Sequence, residues 1–301
     1  MSAPLVLRRA VARLTPGRRG MRVAASASAA PPPPRRVLIT NDDGPDSPFF
    51  DAFVDALAAT GWPAFVAPPD AGQSFVAKAV GRGPVTLTRI SETRVHVSGP
   101  PATAVNLALH HLARDVDFVV SGPNVGHNAG RGSILSSGTV GAALEGAMAG
   151  RRAVALSFPF RHGFGGWTDA ELARAVAASV DVVVGLWDDW GVGVDLYNVN
   201  VPLDFDREGR EENGDGDGNA TAPAPLPVLT VERTTVDPGG YASLYTPAHP
   251  DHAHDFEWGP SGLRVFDSEG QRPGGDVAAV AAGRVSVTPL RASLTHAGGE
   301  A

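Results

Sequence analysis

The stretch Val37-Leu38-Ile39-Thr40-Asn41-Asp42-Asp43-Gly44 constrains the fold more than any other in this chain. An apolar, largely β-branched run that empties into an amide, two carboxylates and a glycine is the pattern of a buried parallel strand delivering polar groups to its carboxyl end. That edge is where open α/β sheets bind ligands. Two carboxylates about 4 Å apart repel by roughly 4 kcal/mol at an effective dielectric of 20, so a site that keeps both ionised calls for a cation. Side chains alternate along a regular strand, but Gly44 and Pro45 end this one and let Asp42 and Asp43 converge. Taken alone, Asp-Asp-Gly also reads as an Asx turn leading into a helix cap.

The next segments favour the first reading. Phe50, Phe53, Val54 and Leu57 recur at helical spacing before Gly61, a C-cap candidate, and Pro63 to Pro68 (PAFVAP) reads as a second buried strand. A βαβ start with carboxylates on its first strand predicts a doubly wound α/β fold. Asp70 to Lys78 leaves strand two, and its Ser74, at the same sheet edge as Asp42, is either a ligand or a helix cap. Pro84 to Ile90 and Arg94 to Val97 alternate without an intervening helix and predict a short hairpin outside the main sheet. Pro101 to Ala113 is helical, with His110 and His111 on its surface.

Phe118 to Gly122 is another buried strand, emptying into Pro123-Asn124-Val125-Gly126-His127-Asn128-Ala129-Gly130-Arg131-Gly132. A loop this rich in glycine and asparagine suits close approach to a ligand, or is a flexible connection. It leads to Ser136-Ser137-Gly138-Thr139 and a helix of small residues, Val140 to Gly150. Free N–H groups at that helix start, beside the Ser137 and Thr139 hydroxyls, form an anion site; alternatively those hydroxyls only cap the helix, whose small residues permit tight packing. Strands are predicted at Ala153 to Phe158, Asp195 to Pro202, Val228 to Thr234 and Val285 to Leu290, with an amphipathic helix from Thr168 to Trp187. Asp204 to Pro227 is acidic and rich in Gly and Pro, and reads as a solvated insertion. His249, His252 and His254 lie in what reads as an exposed Pro-containing loop.

With 301 residues, 43% of them apolar, the chain can bury a large core. Its net charge of -7, with no basic cluster in the folded part, argues against a nucleic-acid surface. No cysteine is present, which excludes disulfides, thiolate metal sites and cysteine nucleophiles. No apolar run approaches the roughly 18 residues needed to cross a bilayer, so no membrane partner is expected. Met1 to Asn41 lacks Asp and Glu while arginines, from Arg8 and Arg9 to Arg35 and Arg36, accumulate among Ala and Ser. That composition predicts a transit peptide over residues 1–35, plastid ahead of mitochondrion, whereas a start at Met21 would leave the protein cytoplasmic.

A divalent ion held by Asp42 and Asp43 and completed by oxygens of Ser74 and Asn124 would be an all-oxygen site, which selects Mg²⁺ or Mn²⁺ over zinc. Facing it, the N–H groups of Gly138 and Thr139 would hold a phosphate, and metal-assisted hydrolysis of a phosphate monoester follows. No G-x-S-x-G elbow, Walker loop or complete dinucleotide fingerprint supports acyl transfer, NTP motor activity or hydride transfer.

Four stretches together resemble the SurE family of survival-protein phosphatases, metal-dependent 5′/3′-nucleotidases. They are Leu38 to Gly44 (LITNDDG), Ser121 to Asn128 (SGPNVGHN), Ser137 to Gly146 (SGTVGAALEG) and Gly275 to Leu290 (GDVAAVAAGRVSVTPL), with weaker support from Gly99 to Ala102 and Asn198 to Pro202. The resemblance extends over residues 36–290. It implies a Rossmann-like, three-layer sheet with an extended C-terminal β-hairpin arm at about 228–275, used in homodimer or homotetramer assembly, and a tail from 291 to 301. It implies metal ligation by Asp42, Asp43, Ser74 and Asn124, with attack on phosphorus by one of the two carboxylates or by water. It places Asn41, Lys78, Asn128, Ser137, Gly138 and Thr139 around the phosphate of a nucleoside monophosphate, although Lys78 reads equally as an exposed lysine. Short-chain polyphosphate hydrolysis, broad acid phosphatase activity and a catalytically weak binding role are the alternatives.

The chain departs from the family pattern at Ser47-Pro48-Phe49, where Ala-Pro-Gly is usual, at Ser74-Phe75, where Ser-Gly is usual, and at Ser136, where Tyr is usual. Bulky Phe49 and Phe75 near the expected site bear on base specificity. Gln73 to Lys78 and Leu135 to Thr139 are similar to a eukaryotic branch of the family, some of whose members carry a tubulin-tyrosine-ligase-like domain.

Overall fold

Val37–Thr40, every residue buried, forms the first strand, β1, second from one edge of the main sheet. The computed structural model describes residues 31–204, 226–240, 243–249, 252–258 and 271–293. Most of the leader expected over residues 1–35 (1–30), most of the acidic insertion (205–225), part of the arm and most of the tail lie outside the described residues. After β1 come α1 (Phe50–Ala58), β2 (Ala64–Val66), β3 (Leu87–Arg89), β4 (Val95–Val97) and α2 (Pro101–Leu107), which continues as a π-helical turn over Ala108–Leu112. Then follow β5 (Phe118–Val125), α3 (Arg131–Ser136), α4 (Gly138–Met148), β6 (Arg152–Phe158), α5 (Asp169–Asp188) and β7 (Leu196–Asn200). The described carboxyl-terminal part adds β8 (Val231–Arg233), β9 (Tyr245–His249), β10 (His252–Trp258), α6 (Asp276–Ala281) and β11 (Val285–Leu290).

Seven strands form one sheet in the order β2-β1-β5-β6-β7-β11-β8. From β2 to β7 all pairings are parallel; β11 then runs antiparallel to β7, and β8 parallel to β11. Side-chain alternation splits the core in two. Val37, Ile39, Phe118, Val120, Val154 and Leu156 face one layer with Phe50, Phe53 and Leu57 of α1 and Val183 and Trp187 of α5. Leu38, Val119, Ala153 and Ala155 face the other, with Ala104 and Val105 of α2 and Val140, Ala142 and Ala143 of α4. Helices therefore cover both faces, and the fold is the doubly wound, three-layer arrangement expected of a βαβ start.

The small residues of α4 serve close packing on the sheet. A Cβ on Gly146 would come within 2.7 Å of Val119 Cγ2, and one on Gly141 would overlap the Ala77 carbonyl. α5 begins where the sequence signals it. Thr168 accepts from Glu171 N, and the Glu171 carboxylate accepts from Thr168 N, closing a capping box.

Several expectations need correction. β5 does not stop at Gly122 but continues to Val125 past an irregularity in its register with β6 between Ser121 and Asn124. A short helix, α3, precedes α4, and α6 was not foreseen because six residues carry little periodicity. His249 and His252 belong to the antiparallel hairpin β9–β10 and not to a loop. Asp204, read as the start of a solvated insertion, is fully buried and accepts the N–H groups of Arg161 and His162 at 2.6 and 2.9 Å. The hairpin β3–β4 forms its own two-stranded sheet, attached to the β2 edge through Val66 and Pro69. Among the described residues no helix is long and apolar enough to cross a membrane.

Candidate active site

The chain moves from β1 outward to β2 and then returns to place β5 on the other side of β1, so the sheet's switch point lies between β1 and β5. The crevice beyond the carboxyl ends of such a strand pair is where doubly wound sheets bind ligands. Asp42 and Asp43 follow β1 there, and Asn124 and Val125 end β5. The amino end of α4 approaches the same point, because Thr139 Oγ1 donates to Asp42 Oδ1 at 2.5 Å. Asp43 Oδ2 accepts from Val125 N at 2.7 Å. One carboxylate is thus tied to a helix start and the other to the neighbouring strand.

Asp42 is 3% exposed, and burial pushes its pKa up to about 6 against the opposing pull of the Thr139 hydroxyl and the N–H groups of Thr139 and Gly138. Burial and then the Asp42 charge push Asp43 up to about 7, opposed by the Val125 N–H. The two carboxylates therefore sense each other, and no lysine, arginine or histidine among the described residues pairs with either. A cation that joins an acidic pair of this kind favours its ionised form. No group of three His, Cys, Asp or Glu that could hold a metal exists among the described residues. Further ligands would be neutral oxygens, and the surroundings supply them. Asn124, half-buried, donates Nδ2 to Gly126 O at 3.1 Å, and its Oδ1 accepts no hydrogen bond among the described residues. Ser74 is exposed on the turn that follows Gln73, whose N–H bonds the Asp42 carbonyl at 2.6 Å. The residues present fit a hard divalent cation.

The other expected site residues have defined places. Asn41 is fully buried and folds the turn upon itself: its Nδ2 donates to Gly44 O at 2.8 Å and its Oδ1 accepts from Gly44 N at 3.2 Å. Its amide is spent on the turn that carries Asp42 and Asp43. Gly138 is a glycine because a Cβ would lie 2.8 Å from Asp42 Oδ2. The N–H groups of Gly138 and Thr139, expected to face a phosphate, face the Asp42 carboxylate, which is the nearer anion. Ser137 is the N-cap of α4, accepting from Val140 N at 3.1 Å. Lys78, expected near phosphate, pairs with Glu145 of α4 at 2.5 Å. Asn128 is buried and donates Nδ2 to Ser157 Oγ at 2.8 Å.

Sequence reasoning missed the residues that hold the Asn124–Gly130 loop. Asn200 Oδ1 accepts from Asn128 N at 2.8 Å, and Asn198 Nδ2 donates to Asn128 O at 2.7 Å. Asp276, fully buried, accepts from Gly130 N at 2.9 Å and from Asp237 N at 2.9 Å. A signal for the first pair existed: two asparagines at alternate positions of a buried strand need partners on one face.

The family model described as Survival protein SurE matches residues 37–215. The chain belongs to the SurE family. A protein of Geotalea uraniireducens named 5′-nucleotidase SurE is 33% identical over 263 residues, covering 86% of this chain and 94% of that protein. Another of that name, from Geobacter sulfurreducens, is 36% identical over 263 residues, covering 86% of this chain and 88% of that protein. A yeast protein named probable tubulin–tyrosine ligase PBY1 is 33% identical over 157 residues, 52% of this chain but 21% of its own length. The crystal structure of the SurE protein from Aquifex aeolicus superposes with a TM-score of 0.66 at 24% identity, over 87% of this chain and 95% of that one, and bears out the SurE fold.

Proposed function

We propose that this chain is a divalent-metal-dependent phosphomonoesterase that hydrolyses nucleoside 5′- or 3′-monophosphates to nucleoside and inorganic phosphate. One observation carries the reading. A buried aspartate and the neighbour whose charge it makes costlier, given no cationic side chain among the described residues, stand at the switch point of a SurE-family sheet. That relatives aligned over most of this chain are named 5′-nucleotidase supports the substrate class. Asp42, Asp43, Ser74 and Asn124 would hold one Mg²⁺ or Mn²⁺, since hard oxygen donors suit those ions. Such a cation supplies charge neutralisation for a phosphoryl group and acidifies water.

The chain's own residues do the rest. Thr139 fixes the rotamer of Asp42, and the positive end of α4 behind it favours negative charge at that point. Val125 N–H fixes Asp43 by Oδ2 and leaves Oδ1, which accepts no hydrogen bond among the described residues, to act on the substrate. Asp42 and Asp43 are the catalytic candidates.

The test is release of phosphate from AMP or GMP with Mn²⁺ or Mg²⁺, abolished by EDTA and by Asp42→Asn; turnover that survives metal removal overturns the reading. Short-chain polyphosphate at equal concentration serves as the competing substrate. Homodimer or homotetramer assembly is read from light scattering, and plastid delivery from a fluorescent fusion to residues 1–35.

A further inference from the structure

We propose that one buried water is a built-in part of this fold, held by Ser121 Oγ and Asn198 Oδ1 over the methyl group of Ala155, beside the bulge of β5 that leads to Asn124. The site takes a small neutral ligand, and it stands whatever ester the chain hydrolyses.

Two oxygens carry the argument. Ser121 and Asn198 are fully buried, and neither Ser121 Oγ nor Asn198 Oδ1 has a hydrogen-bond partner among the described residues. The direction of the Asn198 amide is fixed. Its Nδ2 donates to the Asn128 carbonyl at 2.7 Å, and a carbonyl only accepts, so Oδ1 must point away from that bond. Turning the amide over would set two acceptors against each other. Folded interiors satisfy buried groups of this kind, and where no protein atom reaches them an ordered water does.

Register sets the two oxygens on either side of one methyl. Ser121 of β5 pairs with Ala155 of β6, and Ala155 with Asn198 of β7, so the three side chains stand in one row on the face covered by α2 and α4. Strand spacing puts the outer two roughly 10 Å apart at Cα, a span that one water bridges. Ala155, fully buried, contributes only its methyl between them. Directly after Ser121 the register slips: Ser121 pairs with Ala155 but Asn124 with Ser157, three steps on β5 against two on β6. A bulge of this kind disrupts the ladder and re-aims side chains, and here it carries Val125 N to Asp43. Ser157 offers a third partner. It lies two residues beyond Ala155 on the same face, and its Oγ accepts from Asn128 Nδ2 while its own O–H donates to nothing among the described residues. A water that donates to Ser121 and Asn198 and accepts from Ser157 makes three bonds, the usual number for a buried water. The row runs Thr40, Ser121, Ala155, Asn198, Thr288 without a carboxylate, so it suits water and not a metal ion.

The experiment replaces Ala155 in the full chain by two residues of nearly equal size. Ala155→Ser puts a hydroxyl where the water sits; Ala155→Cys puts a thiol there, a weak hydrogen-bonding group. A buried hydroxyl without partners costs stability, yet Ala155→Ser should hold Tm within about 1 °C of the parent or raise it, and Ala155→Cys should lower it by about 2 to 4 °C. A high-resolution crystal structure of the parent should show a water within about 3.2 Å of both oxygens, and that of Ala155→Ser should show the new hydroxyl in its stead. Oxygen-17 relaxation should count one long-lived internal water fewer in Ala155→Ser than in the parent. A direct Ser121–Asn198 bond, an equal water count in the two proteins, or a serine variant as costly as the cysteine variant overturns the site.

Discussion

Asp42 with Asp43 beyond β1, and Asp237 with Asp276 at the start of α6, are both aspartate pairs in which one charge disturbs its neighbour. They differ in how their oxygens are satisfied. Asp276 accepts backbone N–H groups from Gly130, Asp237 and Val277, and Asp237 accepts them from Arg272 and Val277. Every oxygen of that pair has a donor, and a Cβ on Gly275 would overlap Asp237 Oδ2. Asp43 accepts one bond, from Val125 N, and nothing among the described residues donates to its second oxygen. A carboxylate pair saturated by main chain is a brace that positions the loop at Gly130. A pair left short of donors is electrostatically unfinished, and a cation is what completes it.

The largest test of that contrast is a pair of substitutions of like size. Asp42→Asn should lower AMP turnover with Mn²⁺ at least a thousand-fold, about 4 kcal/mol of barrier, while the melting temperature of the metal-free protein moves little, because relief of a buried, repelled charge offsets the acceptor lost to the Gly138 and Thr139 N–H groups. Asp276→Asn should do the reverse. An amide nitrogen set against backbone N–H groups leaves buried donors unpaired and costs about 2 kcal/mol of stability, with turnover per folded molecule within ten-fold of the parent. Equal effects on both readouts from both changes would erase the distinction between site and brace.

A second test uses pH. Folded pKa values of about 6 for Asp42 and about 7 for Asp43 lie above the ordinary 3.8, so between those limits the native metal-free chain holds more protons than the unfolded chain. Stability must then fall as pH rises from about 4 to about 7, by a few kcal/mol in all. Mn²⁺ competes with those protons, so its stabilising effect should grow through the same window, reaching about 2.7 kcal/mol at a hundred times Kd. Burial raises Asp276 as well and adds slope of the same sign, but that part should not respond to Mn²⁺. Melting curves with and without the ion separate the two pairs; a metal-free stability that climbs through the window would contradict the assignment.

Gly138→Ala probes the unfinished pair from the side. The added methyl would meet Asp42 Oδ2 at 2.8 Å and Gln73 O at 2.9 Å, so Asp42 or the Ser74 turn must shift. Positioning errors of that order cost on the order of ten- to a hundred-fold in rate, and Mn²⁺ affinity should weaken in titration while the melting temperature moves little. Unaltered kinetics would mean that Asp42 tolerates displacement, which a metal ligand does not.

What the sequence showed and what it hid follow the range of the interactions. β1 with its terminal carboxylates, and the Thr168–Glu171 cap, are local patterns whose physics is complete within a few residues. The Asn128 clamp joins positions 70 and 72 residues apart, and the Gly130–Asp276 bond spans 146, so no periodicity could announce them. Asn41 and Lys78 carried the right chemistry for phosphate, yet the folded chain had a closer partner for each, Gly44 and Glu145. Asp204 was hidden because its acceptor role depends on the main-chain N–H groups of Arg161 and His162 rather than on its acidic neighbours in sequence.

Lys78 gives the smallest effect and a sharp check on which charges belong to the site. Its Nζ lies 2.5 Å from Glu145 Oε2, and Asn106 Nδ2 donates to Glu145 Oε1 at 2.7 Å. Burial acts to raise Glu145, but the bonds from Lys78 and Asn106 and the Lys78 charge outweigh it and hold the carboxyl below its ordinary 4.5. A depressed carboxylate stabilises the fold above its unfolded pKa and loses that contribution as pH falls through the folded value. Lys78→Met should therefore cost about 1 kcal/mol at neutral pH, the pair being partly screened, and the cost should shrink below about pH 4.5. KM for AMP should move less than two-fold. A ten-fold rise in KM with unchanged stability would instead assign the lysine to the phosphate and leave Glu145 as its tether.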